Sequence, residues 1–236
     1  MPTSGTTAFD LPIDEIVEEA FERTGMRGNR TGYQLKSARR SLNILLNEWN
    51  NRGINLWKVK LATIPLVEGQ AEYTFANDNT NFPQDISDVL EAYVRNNTTA
   101  TAPVDTTLTK IDRSAYAALP NKGATGQPSQ YYVKRETLPK IFLYITPDLN
   151  TYTHLKYYSI NRIEDAGAYT NQADVAYRFL PCMCAGLAYY LSMKKAPQLV
   201  QQNKLVYEDE LKRALDEDGQ RASTFIAPQT FYPTVS

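Results

Sequence analysis

The sequence predicts an α+β fold: helix pairs at both ends of the chain packed as one four-helix bundle, with an antiparallel β-rich domain, a small sandwich or barrel, inserted between them. Three observations predict it. Apolar residues recur at spacings of three and four near both ends of the chain. Between about residues 56 and 163 that period disappears, and short β-rich runs alternate with turn residues. An isolated helix pair cannot bury its apolar face alone, so the two pairs are expected to pack on each other.

In chain order, residues 1–9 are small and polar and read as a loose arm. Asp10 is placed to cap a first helix, with Pro12 in its first turn and Ile13, Ile16, Val17, Ala20 and Phe21 on one face. Gly25 stops it. Thr31 is placed to cap a second helix, in which Leu35, Ala38, Leu42, Leu45, Leu46 and Trp49 hold helical period for several turns. Gly53 then supplies the left-handed C-terminal position.

Strands are predicted over Trp57–Pro65, Ala71–Phe75, Ser87–Arg95, Tyr131–Arg135, Lys140–Ile145 and Thr153–Ile163, separated by Glu68-Gly69, Asn77-Asp78-Asn79, Asn96-Asn97 and Pro147-Asp148. A short helix capped by Asp112 is expected over Ser114–Leu119. Pro181 is tolerable only in a first turn, so a third long helix should begin between Arg178 and Leu180. It carries Phe179, Met183, Leu187 and Leu191 on one face, beside the small residues Ala185, Gly186 and Ala188. Pro197 opens a fourth helix through Val200, Leu205, Tyr207, Leu211, Ala214 and Leu215. The tail, with Phe225, Ile226, Phe231 and Tyr232 between prolines, reads as an extended arm. The predicted organisation is 1–55 for the N-terminal arm and helices, 56–170 for the β-rich insertion, 171–222 for the C-terminal helices and 223–236 for the arm. No internal repeat is evident.

Composition narrows the function. With 236 residues, 42% of them hydrophobic and 22% charged, the chain has a soluble globular profile able to bury a sizeable core. No apolar run approaches the roughly 20 residues that span a bilayer. The first ten residues lack the basic flank and apolar stretch of a secretory signal, so the chain is expected to be made and retained in a cytoplasm or to leave it by another route. Lys and Arg number 25 against 26 Asp and Glu, which lacks the basic excess of a protein that grips DNA by counterion release. There are 16 Tyr, a residue suited both to surfaces buried on assembly and to strands; composition does not separate these uses.

Little in the sequence suggests catalysis. His154 is the only histidine and falls in a predicted strand, which leaves transition-metal and triad chemistry without ligands or a placed base. Cys182 and Cys184, two apart on a helix, point about 200° apart and read as buried thiols. Gly123 and Gly126 are followed by Pro128 where a phosphate-binding helix would need to start, so they read as a turn. The acids Asp14, Glu15, Glu18 and Glu19 lie opposite an apolar face and read as a solvated or partner-facing surface. No enzyme activity and no cofactor or metal is expected.

The charge layout is more informative. Residues 1–22 hold six acids (Asp10, Asp14, Glu15, Glu18, Glu19, Glu22) and no base, while residues 23–40 hold six bases (Arg23, Arg27, Arg30, Lys36, Arg39, Arg40) and no acid. Such a split suits a helix hairpin with paired faces. It also suits, as the second reading, head-to-tail copies in a ring, whose heterologous contacts need two complementary patches on one molecule.

The run from Ala38 through Leu42 to Trp49, continued by Gly53, Ile54, Asn55, Leu56 and Trp57, resembles the signature of head-to-tail adaptor proteins of short-tailed bacteriophages, the tail tubular protein A type and related head-completion proteins. Glu68-Gly69 with Tyr73, Asp112-Arg113 with Tyr116, and Gly126-Gln127-Pro128 before Tyr131 extend the resemblance. So do Pro147-Asp148 before Tyr157-Tyr158, the stretch Arg178-Phe179-Leu180-Pro181, the run Gly186 to Leu191, and the helix from Tyr207 to Asp218. It covers roughly residues 12–222 and excludes the arms.

The resemblance implies a structural subunit of the virion neck, assembled in the host cytoplasm into a twelvefold ring under the portal protein. Such a ring extends the DNA channel, retains packaged DNA until ejection and gives the tail nozzle a platform, with tail fibres as a further partner and no membrane involved. DNA would pass through without sequence-specific contact. On this reading Leu42, Trp49, Gly53, Leu56, Trp57 and Pro181 are structural signature residues. Arg27, Arg30, Arg39, Arg40, Phe225, Phe231 and Tyr232 are the candidate subunit or partner contacts. Two other classes remain open: a tail or fibre-attachment module using the Tyr-rich β domain, and a peptidoglycan-cleaving tail component.

Overall fold

Local signals account for the first two helices in the computed structural model, which describes residues 5, 9, 11–26, 28, 30–54, 56–75, 85–96 and 102–219. Helix α1 (Ile13–Arg23) buries Ile13, Ile16, Val17, Ala20 and Phe21. Helix α2 (Gly32–Arg52) opens on a reciprocal capping box, in which the Gln34 amide donates to Thr31 Oγ1 while the Gln34 side chain accepts from the Thr31 amide. It ends at Gly53, whose φ of 76° is the left-handed conformation that a Cβ disfavours.

The start of α1 differs from the sequence expectation. Pro12, not Asp10, is the N-cap residue, without any side-chain cap; Asp10 lies outside the described residues. The first amides of α1 are satisfied from elsewhere in the chain: Ile13 N donates to Asn171 O and Asp14 N to Tyr169 O, both at 3.0 Å. A helix whose orphan N–H groups meet tertiary carbonyls needs no local cap.

A 3-10 turn at Leu56–Lys58 follows α2, and strand β1 then runs Val59–Pro65. The predicted strand starts two residues too early, because the Trp57 and Lys58 side chains turn back toward the helices, where both bond to Asp174. The remaining elements are β2 (Glu72–Thr74), β3 (Ile86–Asn96), β4 (Val104–Lys110), α3 (Arg113–Ala118), β5 (Thr125–Gly126), β6 (Gln130–Lys134), β7 (Lys140–Tyr144), β8 (Thr146–Pro147), β9 (Tyr152–Asn161), α4 (Leu180–Lys195) and α5 (Val200–Asp218). Asp112 caps α3, accepting from Ala115 N at 2.6 Å. Pro181 lies in the first turn of α4. Strand β4 has no counterpart in the sequence reading, nor do the two-residue strands β5 and β8, since the sequence places Gly126 and Pro147 in turns.

Seven strands form one sheet in the order β1-β9-β3-β4-β6-β7-β2, antiparallel except for the short β4–β6 pairing. The sheet curls. Phe75, just after β2, and Tyr157, on β9, come from ends five strand positions apart, which in a flat sheet would separate them by about 24 Å. Their ring centroids are 5.7 Å apart. Three register shifts along β3 supply the bend, and the sheet wraps a core that includes Ile64, Tyr73, Phe75, Val89, Leu108, Tyr131, Ile141, Leu155 and Tyr157. The β domain is thus one curled, half-barrel sheet together with a separate two-stranded parallel pair, β5–β8. Its terminal strands β1 and β2 are not paired with each other.

A second core joins the helices from both ends of the chain. Helix α4 is its hub, packing against α1, α2 and α5 and burying Cys182 to Ala188, Leu191 and Ser192. Gly186 lets it approach: a Cβ there would lie 2.9 Å from both Leu45 Cδ2 and Tyr207 Cε2. Helix α5 buries only Tyr207, Leu211 and Ala214, and Leu205 and Leu215, which the sequence places with them, are exposed.

Candidate functional site

Most of the signature residues converge where the two layers meet. Leu42 and Trp49 are fully buried, and Trp49 Nε1 donates to the Tyr207 hydroxyl at 2.9 Å, tying α2 to α5. Burial pushes the Tyr207 phenol well above its ordinary pKa. Phe179, at the entrance to α4, lies between the two indoles, 5.7 Å from Trp49 and 4.8 Å from Trp57. Gly53 turns the chain between them. Leu56 belongs to the 3-10 turn, and Pro181 sets the start of α4 beside Phe179.

Next to this aromatic group is a buried cation. Lys58 is 3% exposed, and its Nζ donates to Asp174 Oδ2 at 2.5 Å, with Glu164 Oε1 at 3.8 Å. Asp174 Oδ2 also accepts from Glu164 N, and its carbonyl accepts from Trp57 Nε1 at 3.3 Å. A buried ammonium is tolerated only when paired and hydrogen-bonded, and this one is both.

Residues 162–174, which return the chain from sheet to helices, are held along one side of α2. Asn50 Oδ1 accepts from Ile163 N at 3.0 Å, Asn43 Oδ1 accepts from Ala166 N at 2.9 Å, and Arg39 donates to Gly167 O at 3.1 Å. The sequence reading missed this strap and the Lys58–Asp174 pair, since neither has a local pattern. The only available hint was a run of polar residues on α2 at helical spacing: Arg39, Asn43 and Asn50.

Arg30 and Arg39, proposed as partner contacts, are both engaged within the chain. Arg30 bonds Glu18 at 3.0 Å and sits 5.0 Å over the Phe21 ring; Arg39 holds the strap and lies 5.8 Å from Tyr169. Part of the acid–base split is therefore used inside the chain: Arg30 ties the α1–α2 loop back to α1, and Arg23 pairs with Glu19 within α1 itself. Arg40 is exposed. Burial lowers the pKa of Lys194, and the charge of Arg40 adds to that shift; Lys194 is exposed as well and donates to the Ser37 and Ser41 hydroxyls. Glu15, Glu18, Glu19 and Glu22 line a shallow acidic depression on α1 with Arg23 and Leu11. Arg27, Phe225, Phe231 and Tyr232 lie outside the described residues.

For catalysis, His154 Nδ1 contacts Thr153 Oγ1 at 2.8 Å within β9. Both thiols are buried; burial raises the Cys182 pKa and takes that of Cys184 to about 11, the opposite of an activated nucleophile. Among the described residues, no group of three or more His, Cys, Asp or Glu could hold a metal ion, and no helix is long and apolar enough to cross a membrane.

A family model described as SU10 adaptor protein matches residues 3–230. No curated protein matches the chain.

Proposed function

The chain belongs to the SU10 adaptor protein family, whose members are structural head-to-tail adaptors of phage virions, and on that premise we propose that copies of it close into a twelvefold ring beneath the portal. The coarse role, a structural subunit of the virion neck, follows from membership. In the finer reading the ring acts in the manner of tail tubular protein A: it lengthens the DNA channel, retains packaged DNA until ejection and carries the tail nozzle. The family match across almost the whole chain carries this reading. Two charged surfaces on one molecule support it, the acidic depression on α1 and the exposed basic edge at Arg40 and Lys194, because a ring built from one chain needs two different complementary patches.

The test is electron microscopy of the purified chain mixed with portal rings. A second ring stacked on the portal supports the proposal, and no association overturns it. The arm at residues 223–236, with Phe225, Phe231 and Tyr232, is assigned to contact the portal or a neighbouring subunit. Its deletion should abolish portal binding while leaving the circular dichroism spectrum and melting transition unchanged; undiminished binding removes the arm from the account.

A further inference from the structure

The convex side of the β domain carries a feature that neither core uses. Tyr132 and Phe142 are directly opposite on β6 and β7, on the face away from the buried Tyr131, Val133, Ile141 and Leu143. Tyr116 of α3 joins them. The three centroids are 5.4–5.8 Å apart, and all three rings are only half-buried. Helix α3 buries no residue of its own, so it stands as the wall of an open cleft of about 820 Å³.

The rim is positive. Arg113, Lys122, Lys134 and Arg135 line the cleft with one carboxylate, Glu136, which is paired to Lys134 at 2.6 Å. Arg135 is committed to Asp88, and Glu72, beside Phe142, is neutralised by Lys140 at 2.5 Å. Lys122 lies 5.5 Å over the Tyr116 ring, its Nζ donating to the carbonyls of Ala117 and Leu119. Arg113 has no carboxylate partner, and the Tyr116 and Tyr132 hydroxyls have no hydrogen-bond partner, among the described residues. An aromatic floor with free hydroxyls, beside the Arg113 and Lys122 charges that no carboxylate among the described residues neutralises, is suited to a ligand that combines an apolar or aromatic group with negative charge.

We propose that this cleft, formed by Tyr116, Tyr132 and Phe142 and rimmed by Arg113 and Lys122, docks an acidic peptide segment of a virion partner through one aromatic or aliphatic anchor. Charge complementarity selects an acidic occupant. The dimensions favour a peptide over a nucleic acid: three rings within 5.8 Å of one another make a floor for a single side chain, whereas single-strand binding repeats such platforms along a groove. The net charge of −1 also lacks the excess that nucleic-acid binding draws on. The inference does not depend on ring formation and applies to the free chain.

Fluorescence anisotropy with a labelled random copolymer of Glu and Tyr tests it, with poly-Glu, a Lys–Tyr copolymer and a single-stranded oligo-dT as comparators, all on the full chain. The Glu–Tyr copolymer should bind in preference to all three. Tyr132→Ala should weaken it by about tenfold, the scale of losing one interface anchor. Arg113→Glu with Lys122→Glu, exposed changes that leave the core intact, should shift preference to the Lys–Tyr copolymer. Binding no better than poly-Glu, tighter binding of oligo-dT, or indifference to the charge reversal in a chain with an unchanged melting transition would each overturn the proposal.

Discussion

Removing both partners of the Trp49–Tyr207 hydrogen bond should cost far less than the sum of removing each. Trp49 is 0% and Tyr207 1% exposed, so neither polar group can turn to water. Tyr207→Phe strands the indole N–H, a loss of about 1–3 kcal/mol. Trp49→Phe strands the tyrosine hydroxyl at a similar cost and also shrinks a ring packed on Phe179, for a further 1–2 kcal/mol or roughly so. In the double variant no buried donor or acceptor is left over, and only the volume loss remains. The double variant should therefore be destabilised by less than the sum of the singles, by a margin of about 2 kcal/mol or more, since both stranding costs vanish together. Urea titrations followed by far-ultraviolet circular dichroism measure all four chains, provided the denaturant slope stays constant. Additivity within about 0.5 kcal/mol would refute the reasoning, since it would mean that the hydrogen bond does not link α2 to α5.

Three further outcomes follow from particular contacts. Burial alone would raise the Asp88 pKa, but hydrogen bonds from Lys110 and Arg135 outweigh it and hold it below the ordinary 3.8. A carboxylate with a depressed folded pKa stabilises above its unfolded pKa, and that stability is lost as pH falls through the folded one. Asp88→Asn should thus cost about 1–3 kcal/mol at neutral pH and flatten the acid limb of the stability profile. An unchanged limb would count against it. Gly186→Ala gains roughly 1 kcal/mol of helix propensity but forces Leu45 and the tethered Tyr207 ring apart, and should melt earlier by a net 1–2 kcal/mol or so; a higher melting temperature would contradict the close approach. Arg40→Glu should leave monomer stability unchanged or slightly raised by relieving its repulsion of Lys194, while sedimentation shows ring formation lost. Intact rings would exclude that edge from the interface.

The parts of the fold legible in the sequence are those whose cause is local. Helix α2 carries its own cap, period and terminator in Thr31, Leu42 to Trp49 and Gly53, and Pro181 dates the start of α4 by itself. Strand β4 was not legible because Leu108 is its only buried residue, which leaves no alternation to detect. The curl of the sheet arises from register shifts in β3 that depend on its neighbours. The aromatic cleft is hidden for the reverse reason. In Gln130–Lys134 and Lys140–Tyr144 large residues occupy both faces, so nothing in the order Tyr131-Tyr132 says which ring enters the core. Arg39 shows the same limit for charge: its sequence neighbours mark a basic face, but its bond to Gly167 is 128 residues away in the chain.

The contacts that join the two layers differ in kind from those that hold each layer together. Each core is apolar and closed on itself. The connection between them adds to the Trp57–Phe179 ring contact a set of directional polar bonds, from Asn50, Asn43 and Arg39 to the return segment and from Lys58 and Trp57 to Asp174. Apolar burial is non-directional and tolerates sliding, whereas hydrogen bonds weaken steeply with angle and distance. A polar joint therefore sets the orientation of sheet to helices more narrowly than an apolar one of similar area. That is a useful property in a structural adaptor, whose copies must present their charged helix faces and their sheet surface to different neighbours at one repeated angle. On the proposed function, Trp49, Gly53 and Trp57 act by placing the sheet, and the partner-facing chemistry is assigned to Arg40, the α1 acids and the proposed cleft at Tyr132.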